Sequence, residues 1–391
     1  MNEIEHCFEY PHDRTSDGSL KWAFPSPWLP ENVTKRPIPL WIADMDFISP
    51  PAVNQALGRM AEHGIYGYTD APESLREALA GWQHTHHQWA VKTQWMLHSP
   101  GIVSALNLTI QTFSAPGDGV IMVMPVYGPF HDSVGLNQRR VVPVELELVG
   151  QNYVLDIEKF EAAITPDVKI FILSNPHNPI GKVWSREELL LLGECCLRHN
   201  ILVIADEIHQ DLVISSQVKY LPFASLCAEF SDISITCTAP SKTFNLAGLQ
   251  TSTLIISNPQ LRQRLHQHYL ACGLERPNIA GIIACEAAYR NGVPWLNALL
   301  STLRGNLRQL DLILKNSGMQ RCGGDALYLA WIDCRRLQQA DLQHFFLEKS
   351  GVWIEPGTHF GRGGDGFIRL NYATSRTLLT SALRQMVTAT C

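Results

Sequence analysis

A chain of 391 residues with 46% apolar and 17% charged residues exceeds one ordinary core and is too apolar for a disordered or coiled-coil protein, so it reads as a globular chain of two domains. Its 31 basic and 37 acidic residues leave a formal net charge of -6, which argues against nucleic acid as a main partner, because phosphate binding needs a concentrated positive field. The ten cysteines are scattered without a Cys-x-x-Cys pair and read as reduced core thiols of a cytoplasmic protein, not as a disulfide framework. The acidic start Met-Asn-Glu-Ile-Glu-His has no apolar h-region, and no apolar run reaches about 18 residues. Neither a signal peptide nor a membrane span is expected.

Along the chain, residues 1 to about 40 are rich in Pro, Trp and Ser (Phe24-Pro25-Ser26-Pro27-Trp28) and read as an irregular arm. Helical spacing follows at Val53, Ala56, Leu57 and Met60, closing at Gly64, and again at Leu75, Leu79 and Trp82. His84-Thr85-His86-His87 comes after that second helix and reads as solvated, with no ligand partner at metal spacing. From about residue 95 strands and helices alternate. Ser104 to Thr112 is helical, Val120 to Met124 a strand, Asp156 to Ile164 helical and Val168 to Ser174 a strand. Ser185-Arg186-Glu187-Glu188 is a capping box opening a helix to His199, and Ile201 to Ala205 and Ile233 to Thr238 are strands. Such alternation predicts a mostly parallel sheet with crossover helices on both faces. After Pro294 a long helix to Gly318 precedes shorter elements: Leu327 to Asp333, Asp341 to Lys349, Val352 to Ile354, Phe367 to Asn371 and a final helix. They suggest a smaller α+β domain. The expected division is an arm over 1–45, a large domain over 46–290 and a small one over 291–391.

Three of the apolar strands end on polar residues. Val168 to Ser174 runs into Asn175-Pro176-His177-Asn178-Pro179, Ile201 to Ala205 into Asp206-Glu207, and Ile233 to Thr238 toward Ser241-Lys242. The carboxyl ends of such strands are where open α/β sheets bind ligands. A lysine there, among small and hydroxyl residues, can form a Schiff base with an aldehyde cofactor such as pyridoxal phosphate. That cofactor demands a lysine, a carboxylate for its ring nitrogen, a donor to its phenolate, an anion site, a flat face, and a cation for the substrate carboxylate.

Asp206-Glu207-Ile208-His209, Asn175 to Gly181 and Ser241-Lys242-Thr243-Phe244-Asn245 resemble the fold-type I pyridoxal-phosphate enzymes of the aspartate aminotransferase superfamily. Ala43-Asp44-Met45-Asp46-Phe47, Gly64 to Tyr68, Gly181-Lys182-Val183-Trp184 and Gly366 to Asn371 look, within it, like the MalY/PatB-type cystathionine β-lyases. The resemblance implies pyridoxal 5'-phosphate as cofactor, Lys242 as Schiff-base residue and proton shuttle, and Asp206 as partner of the pyridinium nitrogen. It places Asn178 at the phenolate oxygen, Tyr127 against the ring, and Gly101, Ile102, Val103 and Ser241 at the phosphate, where a helix start offers free N–H groups. Ile208 and His209 fall with the cofactor, the role of His209 being open. Arg369 would grip the substrate α-carboxylate, with Ala43 beside it. Tyr68 would reach the phosphate from a neighbouring subunit, which implies a homodimer with shared sites.

Ala239 and Gln250 stand where many aminotransferases carry a serine and a phosphate-binding arginine; both departures favour the lyase branch. The implied activity is cleavage of cystathionine or related cysteine S-conjugates to a thiol, pyruvate and ammonia. An aminotransferase shares every step up to the carbanion and stays open at this point. Relatives of the MalY type also bind a transcription regulator, so a regulatory role stays open too. Gly361 to Gly366 lacks the strand-turn-helix context of a dinucleotide loop, and no metal site is expected.

Overall fold

The apolar run Gly119–Met124 is buried at every position, as a strand covered on both faces must be. It lies within a seven-stranded sheet in the computed structural model, which describes residues 3–9, 11–23, 36–274, 276–315 and 317–390. The spatial order is Met96–Ser99, Ser252–Ile255, Ser234–Thr238, Leu202–Asp206, Val168–Ser174, Gly119–Met124 and Arg140–Glu145. Neighbours are parallel except at Ser252–Ile255, which is antiparallel to both strands beside it. Alternate residues serve opposite faces. Val120 and Met122 pack with Leu106, Phe130 and Leu265 of helices Ile102–Phe113, Gly128–Leu136 and Pro259–Ala271. Ile121 and Val123 pack on the other side with Leu189 and Leu192 of helix Arg186–Arg198.

The expected strands are present, and the α/β class with them. Three others of this sheet were not anticipated. Met96–Ser99 and Ser252–Ile255 are short and carry Ser, Thr and His, while Arg140–Glu145 contains Pro143, tolerated because this strand forms the sheet's edge. The capping box forms as read: Ser185 Oγ accepts from Glu188 N at 3.1 Å and Glu188 Oε2 from Ser185 N at 2.9 Å. Helix Pro51–His63 closes at Gly64, whose φ of 68° suits a residue without Cβ.

A second, antiparallel sheet orders Gln320–Cys322, Leu329–Asp333, Phe367–Asn371 and Glu355–Pro356. Helices Val293–Leu314, Leu342–Ser350 and Arg376–Ala389 share its core. The arm is less irregular than its composition suggests. Glu3–Glu9 and Leu20–Ala23 are short helices, Phe8 packs edge-on against Phe47, and Ile38–Pro39 pairs in parallel with Val352–Trp353. The Phe24 to Trp28 run lies outside the described residues.

The nine cysteines from Cys7 to Cys334 are all free. Most are buried, but Cys272 is exposed and Cys227 half-buried, which corrects the reading of all of them as core thiols. Cys391 lies outside the described residues. Among those residues no helix is long and apolar enough to cross a membrane.

Candidate active site

The strand register sets the motif residues side by side: Ser174 lies opposite Asp206, and Asp206 opposite Cys237. Just beyond Cys237, the short helical turn Pro240–Thr243 carries Lys242. Its Nζ donates to Ala43 O at 2.6 Å. Burial pulls the amine down to about 8, with Asp44 and Asp206 acting against that pull and Arg369 adding to it. Asp206 is buried, and its Oδ1 accepts from Ile208 N at 3.3 Å. Burial pushes its carboxyl up to about 7, against the Ile208 bond and the charge of Lys242.

Arg369 sits on strand Phe367–Asn371, between Trp331 and Glu355 in register. It is buried, and burial draws its guanidinium below the usual value while Glu355 works the other way. Nη1 donates to Asn178 Oδ1 at 3.2 Å and Nη2 to Trp41 O at 3.1 Å, and the guanidinium carbon lies 4.7 Å from the centre of the Phe360 ring. Nε is buried with no hydrogen-bond partner.

One strap, residues 41–47, ties the lysine to the arginine. Ala43 O accepts from both Lys242 and Tyr328 Oη, the latter at 2.8 Å. Asn245, on the lysine side, accepts from Met45 N at 3.0 Å and donates to Met45 O and Phe47 O. Asn371, on the arginine strand, donates to Ile42 O and Asp44 O, both at 2.6 Å. Tyr328 and Phe360 escaped the sequence reading, since neither lies in a polar strand-end motif. Asn245 and Asn371 do stand in motifs, next to the residues they support.

Gly101 takes φ 101° just before helix Ile102–Phe113, and the space a Cβ would enter there is open. Ile102 is half-buried and Val103 exposed. Ser241 is half-buried in the lysine turn. Tyr127 is half-buried and edge-on to Phe130 at 5.7 Å, with burial raising its hydroxyl pKa. Ile208 and His209 are buried. The His209 imidazole is held well below its usual pKa by burial and by the charges of Lys242 and Arg369, and its Nδ1 has no partner. Gln250 is exposed. Tyr68 is fully exposed, with Ile65 and Tyr66 beside it, so its own chain does not enclose it.

Behind these groups lies a buried polar layer that spacing did not reveal. Glu207 accepts from Tyr220 Oη at 2.6 Å, Phe223 N at 2.9 Å and Asn175 Nδ2 at 3.0 Å, and burial pushes its carboxyl up to about 7. Asp211 accepts from Thr243 Oγ1 at 2.7 Å and Trp82 Nε1 at 3.0 Å, and His87 Nε2 lies 2.8 Å from it. Burial works to raise the Asp211 carboxyl, and these bonds outweigh it and hold it below the usual range. His84 to His87 form the last turn of helix Glu73–His87, not a segment after it; His84 and His86 are exposed as read, while His87 is buried against a carboxylate, which corrects the solvated reading for that residue. Among the described residues one trio has metal-ligand spacing, Glu161, Cys195 and His199, but Glu161 already pairs with Arg198 at 2.9 Å.

The residues suit pyridoxal 5'-phosphate. The amine of Lys242 is brought down to about 8, Asp206 is a buried carboxyl that a ring cation would re-ionise, and the Gly101 cradle is open. The comparisons agree. The family model "Aminotransferase class I and II" matches residues 37–386. The chain is 41% identical to the cystathionine β-lyase PatB of Bacillus subtilis, over 98% of this chain and 99% of that protein. It is 34% identical to the protein MalY of Escherichia coli, over 90% and 91%. The crystal structure of cystalysin from Treponema denticola, which contains a pyridoxal 5'-phosphate cofactor, superposes with a TM-score of 0.93 at 31% identity, covering 98% of each chain.

Proposed function

Because the chain belongs to the aminotransferase class I and II family, we propose that it works there as a pyridoxal-phosphate-dependent carbon–sulfur β-lyase, acting on cystathionine or related cysteine S-conjugates. The observation that carries the cofactor chemistry is the convergence on one strap of an amine brought down to about 8 and a buried arginine with a free Nε, with a buried carboxyl beside the amine; the 41% identity to a cystathionine β-lyase over nearly the whole chain favours the lyase over the aminotransferase. Bound there, pyridoxal 5'-phosphate supplies an electron sink. The residues that would hold it are Lys242 at its aldehyde, Asp206 at its ring nitrogen, Asn178 at its phenolate oxygen, Tyr127 against its face, and Gly101, Ile102, Val103 and Ser241 at its phosphate.

Arg369 fixes the substrate α-carboxylate by a paired, charge-assisted contact, its Nε being available. Lys242 would take the proton from Cα as general base. The Cβ–S electron pair would then leave with sulfur, which takes the proton that Lys242 carries from Cα, and one water would release ammonia and pyruvate from the remainder. The neutral state of His209 leaves the positive charge near the substrate to Arg369. A homodimer is part of the proposal: the exposed Tyr68 would complete the phosphate site of a second copy, where Gln250 offers no cation. A cytoplasmic setting fits the nine free cysteines.

The test is product formation from cystathionine without any keto acid. Stoichiometric pyruvate and ammonia are expected. Turnover that appears only when a keto acid is added, with no pyruvate released from cystathionine, would make the protein an aminotransferase instead.

A further inference from the structure

The arm meets the active site at a buried cluster of opposite charges that the reaction above leaves unused. Lys21 is completely buried, with Nζ 3.0 Å from Asp46 Oδ2 and 3.7 Å from Asp44 Oδ1, and it donates to Asp44 O at 3.3 Å. Trp22 Nε1 donates to Asp46 Oδ1 at 2.9 Å, and Trp41 Nε1 to Lys21 O at 3.2 Å. Arg14 Nη1 donates to Asp44 Oδ2 at 3.1 Å and to Met45 O at 3.2 Å, and lies 3.5 Å from Asp46 Oδ1, while its Nε holds Asp17 at 3.0 Å. Burying a lysine and a carboxylate is costly unless each meets a hydrogen-bonded partner, so both ends of this contact are constrained.

The carboxylates belong to the strap whose Ala43 carbonyl receives Lys242 and whose Trp41 carbonyl receives Arg369. Asn245 and Asn371 hold that strap from the protein side. Arg14 and Lys21 hold it from the arm side, at the residues directly following Ala43. We propose that Arg14 and Lys21 are positioning residues: through Asp44 and Asp46 the arm fixes the strap, and so sets the spacing of the groups that receive an amino-acid substrate. The inference rests on the proposed function only in taking an amino acid as the ligand.

The variants are Arg14→Met, and the pair Lys21→Met with Asp46→Asn, measured on the cofactor-loaded protein. Lys21→Met alone would leave Asp46 Oδ2 buried without its partner, and the double change removes that buried charge. Apparent KM should rise about tenfold, the worth of one charge-assisted contact, with kcat within about a factor of two and the visible cofactor band unmoved. Amide hydrogen exchange should quicken over residues 42–47 and stay unchanged in strand Leu202–Asp206. Arg14→Lys should recover part of the KM. Unchanged KM and unchanged exchange over 42–47 in both variants would overturn the proposal. So would a parallel loss of kcat, cofactor band and thermal stability, which marks a merely structural cluster. If the wild type released no pyruvate the lyase reading would fail, while the exchange measurement and the band's response to amino acids would still test the arm.

Discussion

Arg369 uses Nη1 on Asn178 and Nη2 on Trp41, and its Nε has no partner. A carboxylate arriving there meets a planar fork held by neighbours from distant parts of the chain. Lysine keeps the charge and loses the fork, so Arg369→Lys should weaken apparent substrate affinity by about 10–100-fold and leave the cofactor spectrum alone. Unaltered kinetics with amino-acid substrates would show that Arg369 is not the clamp. Lys242 makes a second residue-scale prediction. Only its neutral amine attacks an aldehyde, and burial brings that amine to about 8. Cofactor uptake by stripped protein, followed by the visible band near about 420 nm, should therefore rise with pH through about 8, not through the usual lysine range. Lys242→Ala should lose the covalent link and turnover together. A wild-type protein that stays colourless with added cofactor would sink the reading.

At the scale of elements, strand Leu202–Asp206 ends by delivering a carboxylate into a buried position, where its pKa reaches about 7. A carboxyl raised above its unfolded value binds more protons when folded, so the stability it lends is full below about 4 and lost as pH climbs through about 7. Comparing cofactor-free wild type with Asp206→Asn cancels the opposing histidine terms. The variant should gain on the wild type in melting temperature as pH rises from about 4 to about 7. A difference that does not change with pH would show that Asp206 is not raised. Elements of this kind were readable because their signals are local: the unbroken apolar run Gly119–Met124, the Ser185–Glu188 capping box, the glycine closing Pro51–His63. The edge strand Arg140–Glu145 was not, because Pro143 is permitted only by a place in the sheet that the local sequence does not encode.

For the whole molecule, the exposed run Ile65, Tyr66 and Tyr68 is out of keeping with the buried chemistry it precedes. In the proposed dimer each site takes Lys242 from one chain and Tyr68 from the other. Tyr68→Ala and Lys242→Ala proteins, each impaired alone, should on refolding together regain about a quarter of wild-type activity, for random pairing and independent sites. No recovery, with mixed dimers shown to have formed, would reject the shared site.

Lys242, Asp206, Asn178 and Arg369 were legible in the sequence because each lies at the end of, or within, an apolar strand and in a short motif, and the register then sets Ser174, Asp206 and Cys237 abreast. The sequence by itself also determined the α/β class, since apolar runs alternating with helical spacing are properties of neighbouring residues. What only the tertiary structure decided are the pairings across the chain: His87 on Asp211, Arg369 on Trp41, Tyr328 and Lys242 on one carbonyl, Lys21 on Asp46. A buried charge finds its partner wherever folding brings one within about 3 Å. That distance carries no periodicity along the chain.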